Sequence, residues 1–210
     1  MVIKNFVFNP FQENTYVISD ESKKCIIIDA GCLFPYEKEE LYNYIKNNDL
    51  KVERIINTHL HLDHCFGNPF VHATFNCDIE AHINDEPLCN RMAVQAQMFG
   101  IDYNEKQPSI KYIQENDIIT VGCISLKVIH VPGHSQGSLA FYCENGNVLF
   151  SGDTLFYGSI GRTDLAGGNY EDLIRSITKK LLILPDETDV LCGHGPHTNI
   201  KFEKENNPIL

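Results

Sequence analysis

His59, His61, Asp63 and His64 fall within six consecutive positions of the stretch INTHLHLDHCFGN, residues 56–68. Each of these side chains is costly to bury alone, and what the two residue types share is the ability to hold a cation. In an extended chain residues two apart point the same way, so His59 and His61 face together while Leu60 and Leu62 turn into the core. Asp63 and His64 continue where a strand gives way to a turn and a helix start. Nitrogen and carboxylate donors without Cys suit zinc, iron or manganese.

Three more ligand-type residues repeat one design elsewhere in the chain. VIHVPGHSQGS places His134 after a strand and a Pro-Gly turn, VLFSGDTLF places Asp153 after a buried strand and a Gly, and DVLCGHGPH does the same for His194. The C-terminal ends of strands are where α/β sheets usually place ligands. No G-x-S-x-G or other Ser-His-Asp pattern offers a side-chain nucleophile.

The elements that must position these residues can be read along the chain. VIKNFVF and NTYVIS read as strands around the turn NPFQEN, and KCIIIDAG as a buried strand ending at a Gly. PYEKEELYNYIKNND reads as a helix, with Pro35 near its start, acids in its first turn, and Leu41, Tyr44 and Ile45 on one face. VERIINT is the strand that feeds the His cluster. FGNPFVHATFN opens a second helix and DIEAH a short strand. NDEPLCNRMAVQAQMFG reads as one helix, capped by Asn84 and stopped by Gly100. Residues 101–117 are polar and irregular. IITV, CISLKVIHV, SLAFYC and NVLFSG follow as four strands, NYEDLIRSITKKLLIL as the last helix and TDVLCG as the last strand. No repeat or linker interrupts residues 1–210, so a single layered α/β domain is expected.

Composition narrows the partners. The 17 basic and 28 acidic residues leave a net charge of −11, which repels phosphate backbones, so nucleic acid is not expected as a partner. MVIKNFVFNP has no signal-peptide core, and CIII and LLIL are too short to span a bilayer. A soluble cytoplasmic protein without membrane association is the expectation. The eight cysteines form no C-x-x-C pair and are read as reduced, mainly buried thiols. No feature sets an oligomeric state.

The motifs THLHLDH, PGHSQGS, SGDTLF and CGHGP together resemble the metallo-β-lactamase superfamily, over nearly the whole chain from NTYVIS to GHGP. The resemblance implies a four-layer αβ/βα sandwich with two divalent metal ions, zinc by default, in a groove at one edge of the two sheets. It implies that His59, His61 and His134 hold one metal, that Asp63, His64 and His194 hold the second, and that Asp153 bridges both. Two divalent cations set against Asp63, Asp153 and a shared hydroxide leave the site at about +1, able to polarise a carbonyl and keep a nucleophile ionised near neutral pH. Asp63 is placed to orient that hydroxide and accept its proton, which makes it the catalytic side chain.

Asp153 argues against the β-lactamases whose corresponding ligand is Cys. GDTLFYGSIGRTDLAGGN instead looks like the glyoxalase II group, the hydroxyacylglutathione hydrolases, which cleave glutathione thioesters. Arg162 falls at that family's basic substrate-gripping position, whereas Asp164 stands where the family has Tyr. Tyr157 and Phe156 are expected to line the groove. The sequence ends soon after His194, so the family's C-terminal helical domain is expected to be lacking. Both departures point to the short thioesterase-like members and a small-molecule thioester such as S-lactoylglutathione or a related thiol ester. GRTD, residues 161–164, also resembles persulfide dioxygenases, which use one iron held by two His and an Asp. A non-catalytic binding module is the third reading, and the full set of seven ligand-type residues weighs against it. His197 is placed near substrate or on the surface. His72, His82 and His130 are structural or solvated, and Cys65 and Cys192 pack beneath the site.

Overall fold

The apolar runs pair into two six-stranded sheets in a computed structural model, which describes residues 1–210. β1 (Val2–Phe8), β2 (Glu13–Ser19), β3 (Lys24–Ile28), β4 (Lys51–Ile56), β5 (Ile79–Ala81) and β6 (Ile110–Tyr112) form the first sheet in that order. Its first three strands are antiparallel and the rest run parallel. The second sheet uses β7 (Ile118–Val121), β8 (Ile124–His130), β9 (Leu139–Cys143) and β10 (Val148–Gly152). A small hairpin follows, β11 (Leu155–Phe156) with β12 (Ser159–Ile160), before β13 (Asp189–Cys192) and β14 (Thr198–Asn199) complete the second sheet in the order β14-β13-β10-β9-β8-β7. The helices are α1 (Pro35–Asn47), α2 (Leu62–Cys65), α3 (Asn68–Phe75), α4 (Glu86–Cys89), α5 (Met92–Met98), α6 (Tyr170–Ser176) and α7 (Ile200–Asn206).

Strands buried on both faces read as continuous apolar runs, and β3 is such a strand. Ile26 and Ile28 point at the second sheet with Ile18 and Ile56, against Leu126, Phe141, Phe150 and Leu191. Cys25 and Ile27 point the other way, onto Leu41 and Ile45 of α1 and Val71 of α3. On the far face of the second sheet, Ala140, Leu149 and Val190 meet Leu173 of α6 and the wider turn Ile177–Leu181 that continues it. Helix, sheet, sheet and helix make the expected four-layer αβ/βα sandwich. Leu60 and Leu62 are buried as expected. Five of the eight cysteines are buried, Cys77 and Cys89 are half-buried, Cys123 is exposed, and all are free thiols. No helix is long and apolar enough to cross a membrane.

Four local expectations are corrected. The helix over 84–100 is broken at Asn90–Arg91 into α4 and α5, after a single 3-10 turn at Ile83–Asp85. Its cap is not Asn84: the His82 ring accepts from the Asn84 amide. Asp85, just before α4, turns its side chain inward to the Leu60 and Gly137 amides. Within 101–117 lies β6, whose three residues carry too little alternation to read as a strand. The hairpin β11–β12, β14 and α7 likewise have too few residues to leave a period.

Candidate metal centre

Seven ligand-type side chains converge at one edge of the sandwich. His59 and His61 leave the end of β4 extended, and His61 (φ −68, ψ 151) precedes α2, whose first turn carries Asp63 and His64. His134, Asp153 and His194 follow β8, β10 and β13. His61 Nδ1 lies 2.8 Å from His134 Nε2. The His59 ring stands nearly perpendicular to both, at 89° and 84° and 4.8 Å between centroids. In a second group, His194 Nε2 is 3.3 Å from His64 Nε2 and 3.2 Å from Asp63 Oδ2. Asp153 lies between the groups: Oδ2 is 3.5 Å from His134 Nε2 and 3.6 Å from His194 Nε2, and Oδ1 is 3.4 Å from His64 Nε2.

The ring nitrogens turned away from the cluster are also held. His59 Nδ1 is 3.1 Å from Thr58 Oγ1, and His64 Nδ1 is 3.0 Å from Asp29 Oδ2. His134 Nδ1 donates to the Arg162 carbonyl (2.8 Å) and His194 Nδ1 to that of Phe11 (3.0 Å). Such partners fix ring tautomer and direction, as metal-ligating His requires. The loops are fastened in turn. The Asn9 amide binds the Asp63 and Gly31 carbonyls, and the Asn14 amide brackets His194 by donating to the carbonyls of Cys192 and Gly195, each at 2.9–3.0 Å. Gly193 must lack a side chain, because a Cβ there would run into Asp153 Oδ1 and His64 Cε1.

Two buried atoms of the cluster, His59 Nε2 and Asp153 Oδ1, have no hydrogen-bond partner. Cations among the donors would satisfy both, so the residues fit a metal. Glu13, Asp29 and His64 form a further compact group. Its Asp29 oxygens are already taken by Thr58 and His64, which makes the group a support for His64 rather than a third metal position.

Electrostatics divides the histidines. Burial pushes His59 well below its ordinary value, and burial with the nearby His134 takes His61 down to about 3, so both rings are neutral donors. Burial opposes charge on His64 too, but Asp153, Asp63 and Asp29 outweigh it and raise its value well above the ordinary one. His194 is also raised against burial, by its bond to Asp63 and the charge of Asp153. The metal-free cluster therefore holds protons on its carboxylate-rich side that a cation must displace. Metal uptake near neutral pH is expected to release protons, and affinity to fall as pH falls, because a raised pKa keeps the competing proton bound. Calorimetric titrations in two buffers of different ionisation enthalpy measure this. Affinity that stays constant between about pH 5 and 8 would contradict it.

The remaining sequence-derived residues lie around this centre. Arg162 contributes its carbonyl to His134, while its guanidinium forms a two-pronged pair with Asp164 (Nε–Oδ1 2.7 Å, Nη2–Oδ2 2.6 Å) on the exposed surface. Phe156 meets the His194 ring edge-on at 6.3 Å, whereas the Tyr157 ring stacks on Phe202 of α7 at 4.8 Å. His197 is exposed, 3.4 Å from the Tyr16 hydroxyl. His82 and His130 stack on each other, and His72 bonds the Cys77 carbonyl. Cys65 and Cys192 are fully buried. Sequence reasoning missed Asp29, Asn14, Asn9 and Asp85. Only Asp29, an acid directly after the buried run CIII, carried a visible signal.

A family model described as the metallo-β-lactamase superfamily matches residues 8–194. The chain is similar to hydroxyacylglutathione hydrolase GloC of Haemophilus influenzae, with 37% identity over 202 residues, 95% of this chain and 93% of that protein. Among solved structures, BLEG-1 B3 metallo-β-lactamase superposes with a TM-score of 0.90 at 34% identity, over 100% of this chain and 99% of that one. TTHA1623 in a di-iron-bound form does so with a TM-score of 0.88 at 34% identity, over 99% and 100%. With the motifs, the sandwich and the cluster in agreement, the chain belongs to the metallo-β-lactamase superfamily.

Proposed function

We propose that this protein is a dinuclear metal-dependent hydrolase, with zinc as its resident metal, acting on a small thioester such as S-lactoylglutathione. The observation that carries this reading is the Asp153 carboxylate lying between two donor groups. The likeness to a hydroxyacylglutathione hydrolase supports the substrate class. Two divalent cations bound there would acidify a water and polarise the acyl carbonyl. The chain supplies the rest. Asp153 offers oxygens to both groups and so sets their separation. Asp63, its backbone held from behind by Asn9 and its Oδ2 3.2 Å from His194 Nε2, is the side chain we assign to accept the proton of the attacking water. A thiolate leaves without help, since a free thiol has a pKa of about 8.5. That suits a site where His59, His64, His134 and His194 each have Nδ1 held by a protein partner and would give the other ring nitrogen to a metal, which leaves no imidazole free to donate a proton. An amine leaving from a lactam would need a proton donor.

The test is one preparation, analysed for metal and assayed for hydrolysis of S-lactoylglutathione, hydrolysis of a chromogenic β-lactam, and oxygen uptake with glutathione persulfide. Metal-dependent thioester cleavage is expected. Oxygen uptake without thioester cleavage would give the mononuclear iron dioxygenase instead, β-lactam cleavage alone would give amide chemistry, and metal binding with no turnover would give a binding module.

The Arg162–Asp164 pair adds an expectation about substrate. Its fork is occupied, so a substrate carboxylate must displace Asp164 to use it. Asp164→Asn should lower KM for S-lactoylglutathione by about two- to fivefold with kcat nearly unchanged, the signature of uniform binding. The S-lactoyl ester of N-acetylcysteamine, which has no carboxylate, should be unaffected. Equal effects on both esters would assign Arg162 a structural role alone.

A further inference from the structure

Asp85 belongs to none of the metal motifs, yet its carboxylate touches both sides of the three-histidine group. It is 1% exposed. Oδ2 accepts from the Leu60 amide (3.1 Å) and the Ser135 hydroxyl (2.7 Å), and Oδ1 accepts from the Gly137 amide (2.6 Å). Leu60 sits between His59 and His61, and Ser135 and Gly137 flank and follow His134. The approach is close: a Cβ on Gly137 would lie 2.6 Å from Asp85 Cγ. The Ser135 hydroxyl is shared with Ser138 Oγ at 2.8 Å, and the Leu139 amide donates to the Thr58 carbonyl at 2.7 Å, so the two loops are joined on either side of the carboxylate. Asp63, His64 and His194 depend on other anchors: Asn9, Asp29, Phe11 and Asn14.

We infer that Asp85 is the positioning residue of the three-histidine half of the centre, a carboxylate staple that holds the His59–His61 loop against the His134 loop before metal arrives. The inference rests on the reading of the cluster as a metal centre and is independent of the substrate. It follows from a carboxylate that bonds both loops at once, each loop coming from a different sheet. Two backbone N–H donors and one hydroxyl point at three acceptor directions, a demand a carboxylate meets and a carboxamide does not, since the NH₂ of Asn would face a donor. The expected consequence is selective. Loss of the staple should loosen His59, His61 and His134 relative to one another and leave the Asp63, His64 and His194 group in place.

The experiment uses the full chain loaded with cobalt, whose hyperfine-shifted ring N–H protons report His59 and His134 separately from His64 and His194. Wild type should take two ions; a wild type that takes fewer than two overturns the reading of the cluster, not the role of Asp85. Given two ions in wild type, Asp85→Asn should weaken the three-histidine position by about 10- to 100-fold, the usual scale for a residue supporting a ligand, and the other by less than about threefold. Equal weakening of both positions, or of neither, overturns the inference. Ser135→Ala removes one of the three bonds, spares the fold, and should weaken the same position by a smaller factor. Amide exchange on metal-free wild type needs no variant: the Leu60 and Gly137 amides should already be protected. Protection that appears only on metal loading would mean that the cation, not Asp85, orders the loops.

Discussion

Asp153→Ala is expected to strip both metals and to lower kcat/KM for the thioester on the order of 10³-fold or more, the scale at which several kcal/mol of charge stabilisation are lost. Its oxygens lie 3.4–3.6 Å from one nitrogen of the three-histidine group and two of the other group, so no other side chain substitutes for it. Two cations held by these groups would repel more strongly with one fewer negative charge between them. His194→Ala should behave differently and weaken mainly the position it shares with Asp63 and His64. Asp153→Asn keeps the shape without the charge, so metal loss in that variant isolates the electrostatic part. The fold should persist, because β10 is packed by Val148, Leu149 and Phe150 and not by the residue that follows it. Metal stoichiometry, turnover and circular dichroism on the three variants measure this. An Asp153→Ala protein with two metals and normal turnover would refute both the bridge and the dinuclear hydrolase proposed from it.

The seven clustered residues were legible because each sits at a fixed offset from a strand end, and strand ends are written in local sequence: apolar run, Gly or Pro, polar residue. The sandwich was legible for the same reason, since β3, β9 and β10 are buried on both faces and read as unbroken apolar runs. What holds the cluster in place was not legible. Asp85 meets Ser135 and Gly137 across 50 and 52 positions, and Asn14 meets Cys192 and Gly195 across 178 and 181. Bonds of that span leave no periodic trace, and Asp85 instead misled, because it sits where a helix of continuous period was expected. The anchors also share a direction. Asn14 and Asp85 lie in the first half of the chain and fasten loops that carry His194 and His134 from the second. The loops that carry His134 and His194 are thus fastened in part by polar side chains of the first half, and neither half presents a complete site alone.

Asp29 is the anchor whose loss should cost the fold most. It follows β3 in a left-handed conformation (φ 52), which disfavours most residues by roughly 1–2 kcal/mol and Asp by less. The conformation brings its carboxylate beneath the cluster, where it accepts from the Thr58 amide (2.7 Å), the Thr58 hydroxyl (2.6 Å) and His64 Nδ1 (3.0 Å). Glu13 beside it is fully buried. Burial raises its pKa well above the ordinary value, the His64 charge pulls it down in part, and the charge of Asp29 pushes it up again. Glu13 Oε1 lies 3.9 Å from His64 Nδ1, beyond hydrogen-bond reach, so it does not replace the Asp29 bond as it stands. Asp29→Ala would leave three buried donors without an acceptor, and breaking a buried hydrogen-bonded pair in this way costs about 3–5 kcal/mol. At about 2–4 °C per kcal/mol for a domain of this size, the midpoint of thermal unfolding should fall by about 10 °C or more. Metal affinity at the His64 position should fall by about 10- to 100-fold, because the ring loses the partner that directs it. Ala also adds strain in the left-handed region, so Asp29→Gly is the variant that separates the two causes: it relieves the backbone while still removing the carboxylate. If the carboxylate is what matters, the Gly variant should recover only the strain, about 1 kcal/mol, and still bind the second metal weakly. An Asp29→Gly protein that melts with wild type and keeps its metal would show that the backbone turn, and not the bond to His64, is the reason for Asp at this position.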